Sequence, residues 1–333
     1  MDQNVLEQVT VVCVTHQSHA LLDAMAETLL PLPRVIVVDN ASSDGTAAAL
    51  RQRVPHATVL ERTSNSGFGS ANNEAMALVR TPYALLLNPD CTVRPDDLHT
   101  LLATLQRYPT AAMVAPQSVD AEGRPQKSYR QAFYEKLPRT PYRVPDATCS
   151  TAWLRACCLL VRTEAFAALG GFDPNFFLYY EDDDLCLRAR AAGYECLLEP
   201  AAVVPHAGGL STAPGLKMSF RKHFHYARSR HWAIRRYQGS RAAGLYLAKT
   251  ALCAAPVALL YLLLLKGKLA VRWLAWGASA LASAFAPLAN RPGLSPGARL
   301  AVTGQPAFPA PGRRPAMDPP AHSADSPARA HLP

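Results

Sequence analysis

The chain has 333 residues, with 34 Lys and Arg against 25 Asp and Glu, a formal net charge of +9 and a hydrophobic share of 49%. That share suffices for a sizeable core and excludes a wholly disordered chain, while the length allows one large domain or two ordinary ones. The positive total invites a nucleic-acid partner, but the charge is segregated: residues 1–199 carry a net −6, and residues 200–317 hold sixteen Lys and Arg and no acid. An acidic body is therefore joined to a purely basic C-terminal part, and the two are read separately.

In chain order, Val9–Val14 is a β-branched run suited to a buried parallel strand, and Leu21–Leu30 reads as a helix. A second strand over Arg34–Val38 ends in the polar cluster Asp39–Asp44, and a helix follows over Ala47–Arg53. Ala57–Leu60 is a third strand, Asn65–Ser70 a Gly-containing loop and Ala71–Val79 a helix. Tyr83–Leu87 is a fourth strand, closed by Asn88-Pro89-Asp90. Strands alternating with helices predict an α/β fold with a parallel sheet and right-handed crossovers. In such sheets ligands bind beyond the carboxyl ends of the strands, so the clusters at 39–44, 65–69 and 88–90 are expected to converge on one edge.

Residues 120–150 are irregular and rich in Pro, Arg and Tyr, as a loop over a site would be. Leu154–Val161 is apolar, Thr163–Leu169 a short helix ended by Gly170-Gly171, and Leu185–Ala192 a helix ended by Gly193. Cys196–Leu198 and Ala201–Val204 are apolar runs, with His206 just beyond. None of the eight cysteines forms a C-x-x-C pair or a Cys/His spacing typical of zinc. Most lie in apolar runs, where free Cys acts as a small core residue. The start, MDQNVLEQ, has neither a basic nor an apolar segment of a signal peptide, and a reducing, cytosolic setting is expected.

Four polar groups and a lone histidine stand out, and each of the four groups has a plain structural reading beside the functional one. Asp39 and Asp44 suit either an Asx turn or a nucleotide pocket that uses a carboxylate as acceptor. Asn65-Ser66-Gly67-Phe68-Gly69 with Asn72 is half of a G-x-G-x-x-G, misplaced after the third strand, yet able to bring backbone close to a nucleotide. Asn88-Pro89-Asp90 is a turn signal, or a strand-end carboxylate holding Mg2+ or Mn2+. Glu181–Asp184 puts four acids at a helix start; the helix dipole accounts for one or two of them, and a general base needs such a carboxylate. His206 is a lone histidine flanked by Gly208-Gly209.

The strings VIVVDNASSDGT, NSGFGSANNEA, LLLNPD, GGFDPNFFLYYEDDDLCLRARAAGY and VPHAGG, in that order over residues 8–235, resemble the family 2 glycosyltransferases of GT-A fold. The likeness is greatest to the bacterial rhamnosyltransferase-type branch. The resemblance implies a mostly parallel central sheet flanked by helices in a catalytic domain over 1–240. It also implies that Asp39 and Asp44 contact the nucleotide of a dTDP-, UDP- or GDP-linked sugar, in a pocket lined by Asn65, Gly67 and Asn72. Asn88 and Asp90 match the D-x-D-like motif, with Asp90 and His206 as ligands of a divalent metal, Mg2+ or Mn2+. Glu181 and Asp182 match the catalytic pair, with Asp182 as general base of an inverting transfer. Trp153 and Arg155 match the acceptor-side W-x-x-G-A, from which this chain departs by lacking the Gly. No Q-x-x-R-W motif of processive synthases is present.

Three other readings compete. A Rossmann-type enzyme would place a Gly-rich turn after the first strand, where Val14-Thr15-His16-Gln17-Ser18 has none. A nucleic-acid binder would use Lys217–Arg241 with its interleaved aromatics, and a non-catalytic membrane scaffold would keep only the nucleotide-sugar pocket. Residues 242–265 and 269–289 hold one charge each, Lys249 and Arg272, and each is about long enough to span a bilayer. The Lys266-Gly267-Lys268 link disfavours a spanning hairpin. Helices at the cytoplasmic face, peripheral or monotopic on anionic lipid, with a glycan or polyprenyl-linked acceptor, are the expectation for 241–290. From residue 291 the chain is Pro-rich and expected to lack order.

Overall fold

The computed structural model describes residues 6–130, 142–208 and 215–285. The Pro-rich tail from residue 291, the middle of the 120–150 segment and Gly209 lie outside the described residues.

Among the described residues, ten strands and nine α-helices follow one another. They are β1 (Val9–Thr15), α1 (Leu22–Leu29), β2 (Val35–Asp39), α2 (Thr46–Arg53), β3 (Thr58–Glu61), α3 (Phe68–Met76), β4 (Tyr83–Leu87), α4 (Pro95–Arg107) and β5 (Ala111–Val119). Next come β6 (Tyr129–Arg130), β7 (Cys149–Ser150), β8 (Trp153–Leu154), β9 (Cys158–Arg162), α5 (Thr163–Ala168), α6 (Glu181–Ala191) and β10 (Glu195–Pro205). The chain continues with α7 (Leu216–Gln238), α8 (Ser240–Leu263) and α9 (Gly267–Phe285).

Eight strands form one sheet in the order β3-β2-β1-β4-β9-β5-β10-β7, and β6 pairs with β8 separately. The first four strands are mutually parallel, and β5 is parallel to β10. Strand β9 runs antiparallel to both β4 and β5, and β7 antiparallel to β10, so the sheet is mixed. The mostly parallel expectation holds, and the reversal at β9 carries no sequence signal because a strand buried on both faces is apolar throughout, whichever way it runs. Alternation along β1 builds the two faces of the core. Val9, Val11 and Cys13 join one apolar cluster with α1 and α4, while Val12 and Val14 join the other with α3, α5 and α6.

Helix α4 and strand β5 are among the elements that the sequence pattern did not mark, as is helix α7. Helix α4 starts at Pro95, preorganised for a first helical position, with Asp97 bonding back to Arg94. Strand β5 carries on the sheet beyond β9. The two apolar runs after residue 195 form one strand, β10, whose register shifts between Glu199 and Val203, around Pro200.

Helix α7 closes over the acid-run side of the body. Phe176 and Tyr180 pack with Trp232 and Ala233. Asp173 accepts from Trp232 Nε1 at 3.0 Å and from Arg236 at 2.9 Å. Helices α8 and α9 form a hairpin packed closely enough that a Cβ on Gly277 would stand 2.5 Å from Ala254 Cβ.

Candidate active site

Strand register brings three of the predicted clusters to one sheet edge. Thr15 pairs with Asp39 across β1 and β2, and Cys13 with Leu87 across β1 and β4, so the segments after β2 and β4 flank the end of β1.

The first cluster is knotted to itself. Asp39, 2% exposed, accepts from Thr15 Oγ1 at 2.9 Å, Ser42 Oγ at 2.6 Å and Ser42 N–H at 2.9 Å. Asp44 accepts from the His19 N–H at 3.0 Å, Thr46 N–H at 3.2 Å and Thr46 Oγ1 at 2.6 Å. Desolvation works to raise the Asp44 pKa, but these donors outweigh it and hold the carboxyl below its usual range. Asn40, which the sequence reading passed over, is 3% exposed and stitches this turn to the next loop. Its Nδ2 donates to Asn65 Oδ1 and to the Gly67 carbonyl, and its Oδ1 accepts from Ser66 N–H. Its signal in the sequence was only its place beside Asp39.

The 65–72 segment faces the acid run. Gly67 has φ +91°, and a Cβ there would stand 2.1 Å from the Phe177 carbonyl oxygen. That carbonyl accepts from Phe68 N–H at 3.1 Å, so glycine is required here by a close approach of backbone to backbone. A Cβ on Gly69 would stand 3.8 Å from Glu181 Cβ, which places Glu181 at the start of α3. Asn72 is 1% exposed and donates to the Phe68 carbonyl. Asn73, also passed over, exchanges two 2.8 Å hydrogen bonds with the Phe172 backbone and ties α3 to the turn preceding the acids.

The four acids at the start of α6 divide by environment. Asp184 is 0% exposed and bound by Arg188 at 2.7 Å, Arg236 at 3.1 Å and Tyr237 Oη at 2.5 Å, so it is a structural clamp between α6 and α7. Asp183 is 1% exposed. Asp182 is half-buried, and its Oδ1 accepts from Asp183 N–H at 2.9 Å. Glu181 is 7% exposed, and its Oε2 has no hydrogen-bond partner. Burial, then the charges of Asp182 and Asp183, push its pKa well above the usual carboxylate value. A neutral Glu181 relieves the repulsion that an ionised neighbour would meet.

The backbone entering these acids is strained. Tyr179 and Tyr180 both have φ +70°, a left-handed conformation costly for bulky residues, of order 1–3 kcal/mol each. It persists because α7 determines it from the other side: Ser229 Oγ donates to the Leu178 carbonyl at 2.9 Å, and the Tyr180 and Tyr226 hydroxyls are 3.0 Å apart. Thus a helix in the basic C-terminal part sets the position of the acids.

The remaining predicted residues meet at the end of β4. Asp90 Oδ1 is 3.5 Å from His206 Nε2, and their side chains are 5% and 12% exposed. The backbone registers them, with Cys91 bridging His206, Ala207 N–H donating to the Asp90 carbonyl and Thr92 N–H to that of Pro205. Burial works to lower the His206 pKa, but the Asp90 carboxylate and Cys157 outweigh it and raise it. Asn88 N–H donates to the Cys157 carbonyl at 2.7 Å. Gln126, unmarked in the sequence, links both sides: its Oε1 accepts from Arg155 Nη1 at 2.7 Å and lies 3.0 Å from His206 Nδ1. Trp153, in contrast, is 6% exposed among the apolar side chains of the α3–α6 layer. The corner also holds the thiols of Cys91 and Cys157, which with His206 place three ligand atoms within 4.8 Å of one another.

The family model of Glycosyl transferase family 2 matches residues 10–169. Among curated relatives, the N-acetylglucosaminyl-diphospho-decaprenol L-rhamnosyltransferase of Mycobacterium tuberculosis is 32% identical over 207 residues, covering 54% of this chain and 67% of that one. Rhamnosyltransferase WbbL of Escherichia coli is 29% identical over 212 residues, covering 57% of this chain and 78% of that one. Among solved structures, a mannosyltransferase of Pyrobaculum calidifontis, in complex with GDP-Man and Mn2+, superposes with a TM-score of 0.50 at 20% identity, covering 85% of this chain and 88% of that one. With its mixed sheet flanked by helices and its ordered motifs, the chain belongs to glycosyltransferase family 2 and has the GT-A fold.

Proposed function

We propose that the protein is an inverting, single-addition glycosyltransferase. It moves one sugar, rhamnose in the reading its relatives favour, from a nucleoside-diphosphate sugar to a hydroxyl of a lipid-linked saccharide in cell-surface polysaccharide synthesis. The observation that carries this reading is the half-buried Asp182 beside the desolvated Glu181, held on a strained turn at the start of α3. A catalytic carboxylate needs that kind of placement, and a merely capped helix does not.

The donor nucleotide lies over the strand ends, where the 39–44 and 65–67 turns form a rigid floor. Asp90 and His206 fit a divalent cation by their chemistry, a buried carboxylate beside an imidazole. Mg2+ or Mn2+, when bound there, neutralises charge on the diphosphate leaving group. Asp182 takes the proton from the acceptor hydroxyl, whose oxygen attacks the anomeric carbon opposite the diphosphate and inverts the configuration. Arg155, oriented through Gln126, faces the acceptor. Transfer from a panel of dTDP-, UDP- and GDP-sugars to polyprenyl-diphosphate-linked acceptors, with mass and anomer analysis of the product, tests this. Donor binding without turnover on any acceptor would favour the non-catalytic scaffold.

The C-terminal hairpin supports action at the cytoplasmic membrane face. Among the described helices, Ser240–Leu263 is the one long and apolar enough to cross a membrane. Its flank and tip expose Leu245 (73%), Leu252 (78%), Leu263 (73%) and Leu265 (93%), followed by Lys266 and Lys268. Exposed leucines ending in lysines suit a monotopic insertion into anionic lipid. Replacing Leu252 and Leu263 by Asp should abolish flotation with anionic vesicles; unchanged flotation would remove the hairpin from the anchor.

A further inference from the structure

We propose that Cys91, Cys157 and His206 form a binding site for a borderline-soft divalent cation, represented by Zn2+, and that its occupancy withdraws His206 from the hard ion of catalysis. Two sulfurs and an imidazole nitrogen are the ligand set such an ion selects, whereas Mg2+ and Mn2+ prefer oxygen. Among the described residues, this is the one cluster of three or more His, Cys, Asp or Glu side chains that converges in this way.

The geometry is close to what the ion requires. Bonds of about 2.3 Å to sulfur and 2.0 Å to nitrogen put tetrahedral ligand atoms about 3.5–3.8 Å apart. The three atoms lie within 4.8 Å of one another, which leaves the side chains at most about 1.3 Å to close.

Each ligand is positioned by the fold. Cys91 sits on the β-bridge to His206. Cys157 lies on the turn into β9, its carbonyl held by Asn88 and its sulfur 3.6 Å from Ser118 Oγ. Gln126 Oε1 accepts from Arg155 Nη1 and lies 3.0 Å from His206 Nδ1, so Nδ1 is the protonated, donating nitrogen. That leaves the Nε2 lone pair for a metal, with Gln126 as the outer partner that orients the ring.

The binding half of this inference is independent of the catalytic scheme. The competition half rests on the proposed role of His206 in holding the hard ion. The full-length protein is titrated with Co2+ alone, and Zn2+ affinity is read by competition with a chromophoric chelator. Expected are one equivalent bound, a thiolate-to-cobalt charge-transfer band, and protection of Cys91 and Cys157 from alkylation on peptide mapping. Cys91→Ala and Cys157→Ala should each weaken the band and lower Zn2+ affinity by at least about tenfold to a hundredfold, the cost already incurred when only an outer partner is lost. Absence of the thiolate band and of protection in the unmodified protein would overturn the site, even if a variant failed to fold. A band unchanged in both variants would do the same. In the transfer assay Zn2+ should inhibit, excess Mn2+ should relieve the inhibition, and each variant should be at least about tenfold less sensitive relative to its own Mn2+-supported rate. Zn2+ bound by the thiols without inhibition would overturn the competition while leaving the site standing.

Discussion

The turn after β2 and the start of α6 are both acidic, yet they solve opposite problems. In the first, Asp39 and Asp44 are each satisfied by three nearby donors, and Asn40 locks the turn to the next loop. In the second, Glu181 is buried with an unpartnered oxygen, and the two residues before it are strained. A satisfied carboxylate gives a rigid surface on which a ligand rests. An unsatisfied one, held in place by distant packing, is where chemistry is placed. The comparison also divides the acid run itself, since Asp184 belongs with the satisfied group.

The largest expected effect breaks the acid run at its reactive member. Asp182→Asn should lower kcat by about 10²–10⁴-fold while leaving donor affinity nearly unchanged, as read by steady-state kinetics and nucleotide-sugar titration. Near-normal turnover would end the base assignment. Asp184→Asn should instead cost about 3–5 kcal/mol of stability, because it leaves Arg188 without its buried counter-charge and Arg236 with Asp173 alone. Chemical denaturation measures it, and a stable but inactive Asp184→Asn protein would erase the division drawn above.

Gly67→Ala should destabilise by about 1–3 kcal/mol, since the new Cβ meets the Phe177 carbonyl at a positive φ. Thermal melts read it, and a neutral outcome would mean that the 67–177 contact yields easily. Asp90→Ala should reduce the dependence of donor binding on Mn2+, checked by titration with and without the ion; an unchanged dependence would take Asp90 out of the metal site.

The smallest effect concerns Glu181. Its folded pKa is raised, so its contribution to stability is greatest below the unfolded carboxylate pKa and is lost as pH rises through the folded value. Glu181→Gln should therefore raise the Tm at neutral pH and change it little at about pH 3, where both states hold the proton in the parent protein. A Tm lowered at neutral pH would show that the carboxylate is stabilised there by a partner.

The edge of the site was legible in the sequence because local chemistry marks it. Apolar β-branched runs, each ending in Asp, Asn or Gly, specify strands with polar ends, and the strand-end rule then collects those ends on one side. The acid run announced itself by its density, but four identical-looking carboxylates differ only in what packs against them, and α7 arrives from more than thirty residues away. Gln126 and Asn73 carried no local mark, since an amide becomes informative only when its partners are known.

Composition and periodicity therefore determined the α/β class, the first four strands and the segregation of charge, and local polar clusters marked Asp39, Asp90, the acid run 181–184 and His206, while the choice of Asp182 within that run came from the family resemblance. The direction of β9 was decided by tertiary structure, because a strand apolar on both faces reads the same in either direction. The roles within the acid run were decided there too, because desolvation and pairing are properties of the surroundings. So was the thiol corner. No linear spacing of Cys and His suggested a metal, yet Cys91, Cys157 and His206 meet where the ends of β4 and β10 approach the turn into β9. Ligand geometry depends on distance in space, and between Cys91 and His206 the chain makes four of the eight strands of the sheet.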